Sequence, residues 1–210
     1  MSSIIKVGKV QSSTGQDAVT VADSGAITAN GALTASGGIA NAGTITAGTL
    51  GASVGFPTGH VLQVKSTSMG DRLIIADTDP DSWIDIAGLS VQITPSSSSN
   101  KIMVFASVQG GSISNVACFL RTVRDSTAVG IGNTSGSSTR ISIALKESTS
   151  YDVQSGNWNF IDSPSSTSAL TYKIQVYSNG DAQVNRPSTT VDNWSVPTAH
   201  SSITVMEFTA

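Results

Sequence analysis

The chain has 210 residues, which allows one domain of ordinary size or a smaller domain with an extension. Only 12% of the residues are charged and the formal net charge is −3, so there is no basic footprint of the kind that binds nucleic acid. No apolar run is long enough for a membrane span, and the first ten residues lack the apolar core of a secretory signal. Abundant Ser, Thr and Gly predict an all-β protein whose surface is hydroxylated rather than ionic.

Residues 1–18 open with apolar residues interleaved with Lys6 and Lys9. We interpret this stretch as a short strand that anchors the chain to a larger assembly.

Residues 19–48 repeat with a period of six, and a branched aliphatic residue occupies the third position of every hexad. These residues are Val21, Ile27, Leu33, Ile39 and Ile45. In an extended chain a period of six places all five on one side, whereas in an α-helix it scatters them around the axis. The repeat therefore predicts a β-type segment with one apolar stripe.

One aliphatic residue in six is too thin a stripe for a single chain to bury. Three chains that run together could each supply one wall, with the aliphatic residues meeting on the axis. We therefore predict a homotrimeric stem over residues 19–48. A flexible linker and a lone β-helical cap are the alternatives.

Residues 49–59 break the period with Pro57 and several glycines, and we interpret them as a neck. From residue 60 to 210, short β-rich runs alternate with turn signals, which predicts an antiparallel sandwich of eight to ten strands, most simply a jelly roll. We expect strands at 73–75, 83–86, 89–93, 170–177 and 203–208, and we expect Gly110-Gly111 to end a long central strand at 101–108. We also expect residues 178–181 to form a hairpin turn and residues 186–200 a long loop.

Several segments of this head carry distinctive turns and strand cores. They are 88–95 (GLSVQITP), 100–104 (NKIMV), 124–132 (RDSTAVGIG), 162–164 (DSP), 171–176 (TYKIQV), 184–186 (VNR) and 202–207 (SITVME). Together they resemble a module of bacteriophage virion proteins, especially those of marine and cyanobacterial phages. The resemblance covers most of residues 57–208 and implies a trimeric β-sandwich head on a fibrous stem, exposed on the virion surface.

The sequence has no recognisable catalytic, cofactor-binding or protein-built metal motif, so we expect no enzymatic activity and no cofactor. The acidic residues cluster at 77–85 and at 147–152, and the first cluster reads as a solvated loop. A glycan-cleaving carboxylate pair and a Ca²⁺ loop are its less favoured interpretations. The single cysteine, Cys118, lies in an apolar run and is expected to be a buried core residue.

The candidate ligand-contact residues are Asp192, Asn193 and Trp194 in the long loop. An exposed tryptophan beside polar residues is a plausible platform for a sugar. The alternative, which we favour from sequence, is that Trp194 packs under its loop or between subunits. We expect Trp83 and Trp158, near strand starts, to belong to the core.

Two functions remain open at this stage. One is a homotrimeric tail fibre that attaches through its N-terminal segment to another virion protein and contacts a host-surface glycan with its head. The other is an architectural trimer, a capsid fibre or decoration protein. A glycan-degrading spike is a remote third. We expect the protein neither to bind nucleic acid nor to insert into a membrane.

Overall fold

The computed structural model describes residues 57–76, 82–112, 118–146, 149–189, 191 and 193–210, together with three short strands before residue 30. The chain divides into two compact units, Met1–Val54 and Gly55–Ala210. The division falls inside the neck predicted at residues 49–59.

The N-terminal unit contains three short antiparallel strands: β1 (Lys9–Gln11), β2 (Asp17–Val21) and β3 (Ile27–Ala29). Val21 and Ile27, two residues of the predicted stripe, stand opposite each other in the β2–β3 ladder. Leu33, Ile39 and Ile45 lie outside the described residues, so the predicted axis stays a prediction.

The second unit, which we call the head, is built of eleven strands in its described part and contains no helix there. The strands are β4 (Val61–Met69), β5 (Leu73–Ile75), β6 (Ile84–Ile93), β7 (Lys101–Ser112), β8 (Cys118–Arg124), β9 (Thr127–Val129), β10 (Ile143–Leu145), β11 (Gln154–Asp162), β12 (Leu170–Ser178), β13 (Ala182–Val184) and β14 (Ser201–Phe208). Every ladder is antiparallel, which confirms the predicted all-β, antiparallel class.

The strands form two sheets. The six-stranded sheet has the order β4-β14-β7-β13-β5, in which β13 pairs with the last three residues of β7. The remaining strand, β11, pairs with β7 on the edge opposite β14. The five-stranded sheet has the order β10-β8-β12-β6, with the short β9 also paired to β8. The two sheets bury a common apolar core between them.

Alternation along the strands produces this core, since successive side chains point to opposite faces. In β12 and β14 every second residue is buried, starting from Leu170 and Ser201. The central strand β7 buries Ile102, Val104, Ala106 and Val108 in the same way. Cys118 is 3% exposed within the core, which confirms its predicted place.

The strand directions give the head two distinct ends. The described part of the head begins at Pro57, beside the last strand, where Gly59 N donates to Thr209 O (2.9 Å) and Thr209 N donates to His60 O (3.0 Å). We call this the neck end. The connections β4–β6, β10–β11 and β12–β14 lie at the opposite end, the far end. Along the nine residues of β4, the two ends are roughly 26 Å apart at 3.3 Å per residue.

Three local predictions were wrong. The runs predicted at 83–86 and 89–93 form one strand, β6, because a bulge around Gly88 (φ 88°) absorbs the extra residues between them. Gly110 and Gly111 do not end β7 but pair with β13, and a Cβ at Gly110 would overlap the Gln183 carbonyl oxygen. The 178–181 turn joins two different sheets, so it is not a hairpin.

Candidate functional site

The candidate ligand-contact residues lie at the far end, in the loop between β13 and β14. Asn185 holds the base of this loop. Its backbone has φ 59°, its side chain is fully buried, and its Nδ2 donates to Met69 O (2.9 Å) and Asp71 O (3.0 Å). Its Oδ1 accepts from Ser201 Oγ (2.6 Å). One side chain therefore joins the connection after β4 to the start of β14.

The middle of the loop is held by a second group of contacts. Arg186 Nη2 donates to Thr189 O (2.9 Å), and Thr189 N donates to Ser150 O (2.9 Å) on the connection between β10 and β11. Val196, which follows the tip of the loop, is only 7% exposed, and its burial fixes the part of the loop that leads to β14. These contacts make the loop an ordered part of the head surface.

The tip of the loop is a tight turn. Asn193 O accepts from Val196 N (3.0 Å), and Asn193 Oδ1 accepts from Ser195 N (2.9 Å) and Ser195 Oγ (2.6 Å). This is the arrangement in which an Asn side chain stabilises a turn through its own backbone neighbours. Asn193 thus shapes the turn, while Asp192 lies outside the described residues.

Trp194 is the second residue of this turn, and it is 98% exposed. It does not pack under its own loop, so one of the two packed alternatives considered from sequence is wrong for the single chain. Val191 on the same loop and Tyr151 beside Ser150 are also exposed. A flat, fully exposed indole on an ordered turn can stack on the apolar face of a ligand.

The other two tryptophans occupy different places. Trp158 lies within β11, packs against the core and donates its indole N–H to Thr122 Oγ1 (2.9 Å), in line with the prediction. Trp83 was expected in the core, which was wrong. It is half-buried on the outer face of the five-stranded sheet, where the Arg121 guanidinium lies 4.0 Å from its ring centre.

This outer face carries a cluster that the linear pattern did not reveal. Tyr177 stacks on Phe119 with ring centres 5.9 Å apart. Asp85 accepts from Lys173 Nζ (2.7 Å) and from Gln175 Nε2 (2.7 Å). Burial raises the pKa of the Asp85 carboxyl, but these hydrogen bonds and the nearby cations outweigh it and lower that pKa overall. The charged side chains here pair with one another or lie close together across three strands. Such pairing is typical of a surface with a structural role.

Two polar groups are buried at the neck end. Asp162 Oδ2 accepts from Arg124 Nη1 (2.5 Å) and from the hydroxyl of the fully buried Tyr172 (2.6 Å). Burial, and then the hydrogen bond to Asp162 and the charge of that carboxylate, raise the pKa of the Tyr172 hydroxyl. The other group is the Glu207 carboxylate, which is fully buried and accepts hydrogen bonds from Gln63, Ser96 and Asn100. Both groups have their partners inside the protein, which is typical of structural polar networks.

The predicted acidic clusters yield no site among the described residues. Asp77, Asp79, Asp81 and Glu147 lie outside them, Asp85 is paired as above, and Asp152 accepts from Thr149 N (3.0 Å) in its own turn. Within the described part, no three His, Cys, Asp or Glu side chains come together in a way that could hold a metal ion. No helix in that part is long and apolar enough to span a membrane.

Comparison with protein-family models gave no match, and comparison with curated protein sequences gave none either.

Proposed function

We propose that this chain is a structural virion protein, a homotrimeric fibre of a bacteriophage tail whose head binds a glycan on the host surface. The observation that carries the proposal is the exposure of Trp194 on an ordered turn at the far end of the head. A soluble protein gains nothing in stability from a fully solvated tryptophan, whereas a binding protein uses one as a rigid contact of low entropy cost.

The strand order supports a jelly roll for the head. Numbered along the chain without β5, β9 and β13, the remaining eight strands pair in the orders 1-8-3-6 and 2-7-4-5. A jelly roll has this strand order, and jelly rolls are common in viral capsid proteins and lectins. The fold is compatible with both a particle component and a sugar-binding module, and the choice between them depends on the site.

The position of Trp194 supports a binding role. The chain enters the head at the neck end, and the loop that carries Trp194 lies at the far end. A protein fixed to a particle through residues 1–18 and a stem would present that end to its surroundings. Only 12% of the residues in the chain are charged, which favours a neutral, hydroxyl-rich ligand such as a glycan over an ionic one.

Catalysis has no part in this proposal. The carboxylates of Asp85 and Asp162 are held in ion pairs, that of Glu207 in a buried network and that of Asp152 in a turn. A hydrolase of glycans would need two such groups across one cleft. The N-terminal segment is proposed to hold another virion protein, and the location is the virion surface.

The test is binding of the purified full chain to a panel of bacterial cells and their lipopolysaccharides. Trp194→Ala should weaken binding about fivefold to a hundredfold, because a stacked aromatic contact is worth about 1–3 kcal/mol. Trp194→Phe is the matched control and should restore most of the affinity. Neither change should alter the unfolding midpoint, since the side chain contacts almost nothing.

The contrary result would be no binding across the panel, with labelled protein located over the capsid of the particle. That pair of findings would replace the tail fibre by the capsid decoration protein. Release of reducing sugar from the polysaccharide would point instead to a glycan-degrading spike.

A further inference from the structure

The outer face of the six-stranded sheet carries an exposed apolar patch near the neck end. A groove of about 330 Å³ lies there. Its lining residues, which we call the neck-end face, are Gly59, Val61, Met103, Phe105, Ile161, Met206 and Phe208. Phe105 is 42% and Ile161 54% exposed, so the patch is open to solvent in the single chain.

The register explains why these side chains are contiguous. Met103 stands between Met206 on β14 and Ile161 on β11, in directly paired positions of three adjacent strands. Ile102 and Val104 on either side of Met103 are fully buried, so alternation turns Met103 outward. The patch therefore covers three neighbouring strands in one layer.

Along β7, β11 and β14 the apolar side chains of the patch give way to polar ones farther from the neck end. Farther along the same strands, the groove next to Phe105 is lined by the polar residues Ser107, Asn157, Asn159, Ser202 and Thr204, together with Ala106 and Trp158. Exposure to solvent alone does not explain why side chains on this face change from hydroxyl and amide groups to Met, Ile and Phe within a few residues. This contrast is typical of an interface with a polar margin.

We propose that the neck-end face binds the corresponding region of two other copies of this chain, so that the heads as well as the stems hold the trimer together. This inference depends on the trimer in the proposed function. It is argued from where the chain enters the head: Gly59, which lines the groove, is only eleven residues beyond the end of the hexad repeat at residue 48.

Connectivity favours other copies over an unrelated partner. Three chains that share an axis up to residue 48 can separate only as far as the short neck allows, so the neck ends of three heads are held at high local concentration. An apolar patch at that end then meets its own copies first. Exposed Lys101, at the start of β7, lies at the edge of the patch and supplies part of the polar rim.

The experiment uses hydrogen peroxide oxidation of methionines in the full-length protein, read by mass spectrometry, with the assembled mass measured in parallel by sedimentation. Met103 and Met206 should oxidise slowly in the assembled protein, because thioether oxidation follows exposure. Phe105→Glu should speed their oxidation several-fold, since three carboxylates would be forced into the interface. Met69, near Gly88 at the far end of β4, is the internal reference and should not change.

Ile74→Glu is the matched control. Ile74 is 50% exposed in the same sheet, but it lies on β5 at the far end. The substitution should leave all three oxidation rates unchanged. Ile161→Ser is a milder second variant of the face, and it should also speed oxidation of Met103 and Met206.

The outcomes separate this inference from the proposed function. A stable trimer in which Met103 and Met206 oxidise as fast as in Phe105→Glu would overturn the neck-end interface, while the trimer and the host-binding proposal would stand. If sedimentation gives the mass of one chain, both the neck-end interface and the trimer are contradicted. Loss of glycan binding with protected methionines would remove only the host-binding function.

Discussion

At the scale of single residues, Glu207 shows most clearly how this fold places a charge. It is fully buried at the neck end, yet its carboxylate accepts from Gln63 Nε2 (2.5 Å), Ser96 N (2.7 Å), Ser96 Oγ (2.8 Å) and Asn100 Nδ2 (2.7 Å). Burial raises the pKa of this carboxyl, but the four hydrogen bonds together outweigh burial and lower it. The carboxylate joins the last strand to β4 and to the turn before β7.

A lowered pKa in the folded state means that ionised Glu207 stabilises the fold. This contribution is complete above the pKa of the unfolded chain and is lost as the pH falls through the folded pKa. Glu207→Gln should therefore lower the free energy of unfolding at pH 7 by roughly 1–3 kcal/mol, with a smaller difference in acid. Denaturant unfolding at one fixed protein concentration, at pH 7 and in acid, measures this.

Asp71→Asn is the control for Glu207→Gln, because the Asp71 side chain is exposed and only its backbone carbonyl is used in the fold. It should unfold like the parent at both pH values. Equal stability of Glu207→Gln and the parent at pH 7 would show that the buried hydrogen bonds contribute nothing net.

At the scale of elements, the loop that presents Trp194 depends on Asn185. Asn185→Gly keeps a residue that tolerates φ 59° but removes the three side-chain hydrogen bonds, which should cost roughly 2–4 kcal/mol of stability. Asn185→Ala should cost about 1 kcal/mol more, because the left-handed conformation disfavours a Cβ. Denaturant unfolding of both variants measures the difference.

Asn185→Gly should also weaken glycan binding, since the loop loses its fixed base while Trp194 remains. An unchanged unfolding midpoint in Asn185→Gly would contradict the role of this side chain as the joint between the loops. Equal stabilities of the Gly and Ala variants would contradict the backbone part of the argument.

Much of the sheet structure followed from alternation. The strands at 170–178 and 201–208 were predicted closely, as 170–177 and 203–208, because alternating apolar and polar residues indicate which face of a strand is buried. The errors have one cause: pairing partners far away in the chain decide where a strand bends or ends. Gly110-Gly111 looks like a terminus locally, but β13 pairs with it.

The sequence predicted which loop carries the candidate site, but it did not predict the geometry of that site. Sequence placed Trp194 in a loop, but its exposure depends on a turn closed by Asn193 and on contacts with Ser150, which lies more than forty residues away. The aromatic cluster around Trp83 joins three strands and has no linear signature. The neck-end face likewise became visible only once the register of β7, β11 and β14 was known.

At the scale of the whole molecule, the two ends of the head differ in a way that agrees with the proposed function. The chain enters at the neck end, where the apolar face lies, and the loop with the exposed Trp194 lies at the far end. One end is suited to contact between copies and the other to contact with a ligand. Both proposals require that three copies of the chain associate through an apolar seam.

The most direct test of that requirement is the mass of the purified full-length protein by sedimentation equilibrium over a range of concentrations. The account predicts three times the 21.4 kDa mass of one chain. It also predicts that Ile27→Asp together with Ile39→Asp lowers the stability of that assembly, because charges would enter the predicted seam. A well-folded particle with the mass of a single chain would contradict the account.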